Sequence, residues 1–369
     1  MKRLNNLFNR KEEPIKTYED FWLWFQKNEK TFHKAVKDHA TKGHTKVEKV
    51  FFERLSPKLD ELKEGYFFLT GMFDDHTVEL VLTADGAIRN MVFVEALVKA
   101  SPVIPGWKFT ALKPPLDIEH FVLNMADHVF DKDSLFFYSN DSPDFPDEID
   151  ITIVHRDFNE ENESVINNGS YLFLDNFLGE LNFATTIDNL SVIGIKDAQQ
   201  ELVPIDKLKS FLIWRQKEFI EKYEGLRYDT ENDNYSSFEA ELDNGKPLIA
   251  IMNTTLLDWD SKASHPWIVC IEIKYDGKEN NGMPDEETYT LLNKIEDQMM
   301  EELKPFDGYL NIGRQTADSS REIYLACKDF RKPSLVMHQI VTEYLNQLDI
   351  SFDIYKDKYW QSFERFRVY

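Results

Sequence analysis

Trp267-Ile268-Val269-Cys270-Ile271-Glu272-Ile273-Lys274-Tyr275 reads as a strand, because Val269, Ile271 and Ile273 recur at every second position and so share one face. Helical spacing follows over Glu286–Leu303. Two further strands are predicted at Gly308–Gln315 and Arg321–Cys327. Pro333 opens a helix to about Asn346, and Ile350–Tyr355 is the last strand. The order β-α-β-β-α-β is the split arrangement of a ferredoxin-like sandwich. Just upstream, Tyr235–Leu242 and Pro247–Asn253 flank Asp243-Asn244-Gly245, and Asn-Gly is the turn chemistry of a tight hairpin.

Alternation sorts this sheet into two faces. Val269, Ile271 and Ile273 are expected under the two helices with Leu310, Ile312, Ile323, Leu325, Cys327, Phe352 and Ile354. The other face then carries Ile268, Cys270, Glu272, Tyr309, Asn311, Tyr324, Ala326, Asp353 and Tyr355, covered by the hairpin or by the N-terminal part. Cys270 and Cys327 fall on opposite faces, and geometry as well as compartment disfavours a disulfide between them.

The same order recurs earlier in the chain. Leu62-Lys63-Glu64-Gly65-Tyr66 matches Leu303-Lys304 through Gly308-Tyr309, and each leads into strand, strand, helix, strand. In the first copy the strands are Tyr66–Met72, Thr77–Thr83 and one at Trp107–Ala111, with a helix from Met91 to Ala100. Two amphipathic helices precede it, one carrying Phe21, Trp22, Phe25, Phe32 and Val36, the other Val47 to Leu62 with Pro57 expected to kink or split it. Further strands are predicted at Phe121–Phe130, Leu135–Tyr138, Ile149–Val154 and Phe183–Ile187. Helices are predicted from Asn159 to Leu178, stopped by Gly179, and from Pro204 to Tyr223. The fold class is α+β in two domains: 1–203, with a ββαβ unit and extra antiparallel strands; a linking helix and loop, 204–231; and a ferredoxin-like domain, 232–369.

At 369 residues the chain can bury two cores of ordinary size, and its 14% aromatic content supplies large rings for them. Net charge is −23. Nine acids (Asp141, Asp144, Asp147, Glu148, Asp150, Asp157, Glu160, Glu161 and Glu163) crowd one stretch against Arg156. Such a field repels phosphate backbones, which excludes broad nucleic-acid binding and permits a basic protein partner. Solubility alone also accounts for a charge run of this kind. Met1–Arg10 is charged, no secretory apolar core follows, and no apolar stretch is long enough to span a bilayer. With two cysteines the expected location is the cytoplasm.

The strand Trp267–Asp276, the loop Gly282-Met283-Pro284-Asp285, Gly313-Arg314-Gln315-Thr316, Arg321-Glu322-Ile323-Tyr324 and the late Asp353 to Trp360 segment carry a resemblance. Over roughly Asn232 to Phe366 the chain resembles the domain-of-unknown-function (DUF) family 695. The resemblance implies a ferredoxin-like α+β domain, found in bacterial proteins beside a domain like the ribonuclease E regulators. It implies no activity.

Arg314 and Arg321 flank the turn Gln315–Ser320, where two guanidinium groups can hold a carboxylate or phosphate. Asp276 and Asp353 either complete such a site, with Trp360, or neutralise the arginines as structural ion pairs. Asp258, Asp260, Ser264 and His265 cluster before the first strand, but a Ser-His neighbour pair is not a triad. Asp276–Gly282 fails as a calcium loop, with Lys278 at its third position and Asn281 where glycine is required. The nine histidines, His44 among them, show no metal spacing, and no phosphate-cradling loop, Gly-x-Ser-x-Gly or Cys-x-x-Cys occurs. No metal and no cofactor are expected.

Two functional readings follow. One is a non-enzymatic binding or regulatory protein that turns an acidic surface to a basic partner, as a nuclease regulator or immunity protein does. The other is an enzyme or small-ligand binder with a cleft lined by Arg314, Arg321, Asp276, Asp353 and Trp360. Motifs decide neither enzyme status nor oligomeric state.

Overall fold

A computed structural model of the protein describes residues 14–42 and 47–367; the Met1–Arg10 segment and His44 lie outside them. Helices and several sheets make the fold α+β. The chain divides into two compact units, Met1–Pro114 and Pro115–Tyr369. The boundary expected at 204–231 therefore falls inside the second unit.

The first unit comprises α1 (Tyr18–Lys42), α2 (Glu53–Leu62), β1 (Phe67–Met72), β2 (Val78–Thr83), α3 (Ile88–Lys99) and β3 (Trp107–Ala111). β1 and β2 form an antiparallel pair, and α3 crosses over so that β3 joins β2 in parallel. Phe21, Phe25 and Phe32 place three rings on one stripe of α1, and all are fully buried with Phe51. Trp107 and Phe109 stack beside them, centroids 5.9 Å apart. Pro57 does not split α2, which runs on through it from Glu53 to Leu62. A π turn over Glu48–Phe52 leads into the helix. Pro57 removes a bond only to the Glu53 carbonyl, at the junction where the wide turn gives way to α geometry.

The second unit begins with a small hairpin, β4 (Leu123–Met125) and β5 (His128–Phe130), where one strand was expected over Phe121–Phe130. Ala126 and Asp127 both take positive φ and turn the chain back. β6 (Leu135–Asn140), β7 (Asp150–His155), α4 (Glu163–Leu178), α5 (Glu180–Thr186), β8 (Asn189–Gly194), β9 (Val203–Pro204) and α6 (Leu208–Tyr223) follow. The sheet order is β8-β7-β6-β9. Residues 183–186 of the strand expected at Phe183–Ile187 belong to α5 instead. Phe183 and Ile187 stand four residues apart, which is helical as well as alternating spacing, and both reach the core. Leu208 and Leu212 of α6 lie in that same core with Phe137, Ile151 and Phe173, which ties α6 to this layer.

β10 (Tyr235–Glu241), β11 (Pro247–Asn253), α7 (Thr254–Leu257), β12 (Trp267–Lys274), α8 (Glu286–Glu302), β13 (Tyr309–Ala317), β14 (Ser320–Cys327), α9 (Arg331–Tyr344) and β15 (Asp349–Lys356) complete the chain. Their strands form one antiparallel sheet in the order β10-β11-β13-β14-β12-β15. The hairpin does not cover this sheet. It extends it, with β11 pairing to β13. The face opposite Val269 and Ile271 is closed by Leu256, Leu257, Trp360, Phe363 and Phe366.

Leu310 and Ile312 belong to that second face, not to the helix face, since Leu310 stands opposite Ala326 and Ala326 opposite Ile268. Both faces are buried, so apolarity could not choose between them. A bulge between Asn311 and Gly313 then returns Arg314 to the helix face, opposite Ile323. Gly65 and Gly308 share a left-handed backbone, φ +94° and +95°, at the start of the two β-β-α-β segments. The segments differ in adjacency: β3 touches β2, whereas β12 intervenes between β14 and β15.

Candidate functional site

α8 presents Tyr289, Asn293 and Glu296 at four- and three-residue spacing, hence on one face. That face meets both arginines singled out from sequence. Arg314 Nη1 lies 2.6 Å from Glu296 Oε2. Arg321 is 2% exposed; its Nε donates to Thr316 Oγ1 at 3.1 Å and its Nη1 to Asn293 Oδ1 at 2.9 Å. Its guanidinium lies 5.2 Å from the Tyr289 ring centroid. Burial, and then the neighbouring Arg314, pull its pKa down, against Glu296. Arg314 is thus held by Glu296, a residue sequence reasoning missed, and Arg321 by Thr316 and Asn293, rather than by Asp276 or Asp353.

The five proposed residues do not converge. Asp353 stands opposite Cys270 on the other face of the sheet and is exposed. Trp360 is 1% exposed in the core of that other face, its Nε1 donating to the His265 carbonyl at 3.0 Å. Asp276 is exposed beyond the end of β12 and accepts the Lys278 N–H at 3.2 Å. Burial and then Glu322, Glu272 and Asp353 push the Cys270 thiol up to about 12, and burial raises Cys327. Both cysteines are free. Ser264 Oγ lies 2.8 Å from His265 Nδ1 but donates to the Ser261 carbonyl at 2.7 Å, which commits the hydroxyl to a turn. Burial lowers His265 to about 3 and keeps it neutral.

The acid run splits around β7. Asp141 and Asp144 precede the strand and are exposed; Asp157, Glu160, Glu161 and Glu163 follow it and are exposed. Six residues of strand, about 3.3 Å each, separate the two groups. The middle acids turn inward. Asp147 accepts from Lys222 Nζ, Tyr223 Oη and Tyr359 Oη, each at 2.8 Å. Glu148 accepts from Asn189 and Asp150 from Asn140, both at 2.9 Å.

Beside this network lies a cleft of about 330 Å³ between α5, α6 and the strand ends of the six-stranded sheet. Lys328, Arg331, Lys356 and Lys358 line it, with Asp329 as the lining carboxylate. Asp188, behind it, lies 2.7 Å from both Lys356 Nζ and Lys358 Nζ. Sequence reasoning missed Lys356 and Lys358, and two lysines two residues apart in so acidic a chain were the signal available there.

Residues 233–367 match the model of DUF695, a family of unknown function. No other family matches the N-terminal region. No curated protein and no solved structure matches the chain.

Proposed function

We propose that this is a non-enzymatic binding or regulatory protein of the bacterial cytoplasm that offers exposed acids to a basic protein, such as a nuclease or toxin that it restrains. The observation that carries this reading is the exposure of Asp157, Glu160, Glu161 and Glu163 within seven residues. Arg156, 3.3 Å from Asp157, is their adjoining counter-charge. Glu163 also suits the start of α4, but the other three lie in the loop before it and serve no helix dipole. The strand order β13-β14-β12-β15 under two helices supports a ferredoxin-like assignment for the C-terminal part, a fold that by itself implies no chemistry.

Affinity capture from bacterial lysate tests it, comparing the natural protein with the combined variant Asp157→Asn, Glu160→Gln, Glu161→Gln, Glu163→Gln. A basic protein should be retained at low salt, released as salt screens the contact, and not retained by the variant. Equal capture by the variant rejects the reading. The alternative of a small-ligand binder draws support from the cleft at Lys328 and Lys356, not from Arg314 and Arg321.

A further inference from the structure

We propose that the cleft between α5, α6 and the six-stranded sheet binds a small organic anion, with a carboxylate or phosphate head on a short apolar body. Its volume, about 330 Å³, falls within the range of small-molecule sites, which starts near ~300 Å³. Four cationic side chains line it against one carboxylate, in a chain whose net charge is −23. The internal carboxylates are already shared. Asp188 answers both Lys356 and Lys358, and Asp329 Oδ2 accepts the N–H groups of Arg331 and Lys332 at 3.1 and 3.2 Å. Lys328 donates to the Leu226 carbonyl, which uses one of the three hydrogens on its ammonium.

Burial lowers the Lys356 ammonium to about 8 even beside Asp188, and lowers Lys328 as well. Lys356 has no hydrogen to spare, since its Nζ also donates to the Thr185 and Thr186 carbonyls at 2.8 and 3.2 Å, so an incoming anion is met by Lys328 and Arg331. Arg331, the first residue of the 14-residue α9, lines the same cleft, and Asp329 caps the N–H groups of that helix end. The remaining wall is mixed: Leu181, Phe219, Trp267 and Phe330 give it an apolar side, with Trp267 and Phe330 edge to face at 5.0 Å, and Asn182 and Gln216 are among its polar members. Cationic floor and aromatic wall together suit a head and a body of opposite character.

The test is calorimetric titration of the whole protein with benzoate, phenyl phosphate, inorganic phosphate and benzyl alcohol. Benzoate or phenyl phosphate should bind saturably at one site, and the tighter of the two identifies the head. Benzyl alcohol should not bind. Lys328→Gln combined with Arg331→Gln should weaken binding about tenfold or more, the worth of one charge-assisted contact. Asn182→Trp, from an exposed position on the rim, should abolish it by filling the cleft. Circular dichroism identifies any variant that fails to fold, and the other then decides. Absence of binding by both aromatic anions at millimolar concentration overturns the proposal. So does undiminished binding in the folded variants, or inorganic phosphate binding as tightly as phenyl phosphate.

Discussion

Asp147 sits in the middle of the acid run, yet its side chain is only 10% exposed and faces Lys222, Tyr223 and Tyr359. Burial alone would raise its pKa, but these hydrogen bonds outweigh burial and hold it below the ordinary 3.8. A carboxyl whose folded pKa lies below its unfolded value stabilises fully above the unfolded value, and that contribution is lost as pH falls through the folded one. Urea titrations from pH 7 down to pH 2 should show stability falling below pH 3.8. In Asp147→Asn that fall should be shallower, and stability at pH 7 lower by about 2 kcal/mol, the worth of a hydrogen bond to a charged group. An unchanged acid limb would show that Asp147 carries none of it. Glu296 makes the same point on α8. It lies next to the buried stripe Leu292, Ile295 and Met299, and is itself 8% exposed. Among the acids of that helix, only its place beside the stripe separates it from those facing water.

The bulge in β13 decides which side chains meet which helix. Gly313 has φ +142°, and a Cβ there would stand 2.3 Å from the Ile251 carbonyl oxygen on β11. Gly313→Ala should therefore destabilise by about 2–3 kcal/mol through backbone strain and the collision, read as a lower urea midpoint at unchanged slope. A loss within about 0.5 kcal/mol would mean that the bulge relaxes freely. Local chemistry made much of the architecture legible. Asn244-Gly245 marked the β10–β11 turn, and the periodicity of Trp267–Tyr275 and its successors gave the order of the last six elements. What stayed hidden depends on partners distant in sequence. The face taken by Leu310 was invisible because both sides of its sheet are covered. The destination of Arg314 was set by one extra residue in its strand. The lysines at 356 and 358 became part of a candidate site only when Asp188, some 170 residues earlier, came within 2.7 Å.

At the scale of the whole molecule, the family match at 233–367 is smaller than the compact unit that contains it, Pro115–Tyr369. Lys356 and Lys358 belong to the matched segment and Asp188 lies outside it, so the match ends short of its own buried charge partner. Among the described residues the six-stranded sheet also has two margins without a further strand. β10 carries exposed Glu239 and Glu241, and β15 carries exposed Asp349 and Asp353. Backbone donors and acceptors along such margins are open templates for another strand, and a second copy arriving there meets acids with acids. These four carboxylates are therefore expected to act as terminators of polymerisation, opposing growth of a six-stranded sheet into a twelve-stranded one. Light scattering at rising protein concentration should show Glu239→Thr, Glu241→Thr, Asp349→Thr and Asp353→Thr, combined, self-associating more strongly than the natural chain. A monomeric variant would place the barrier elsewhere, in the net charge of −23 that every copy carries.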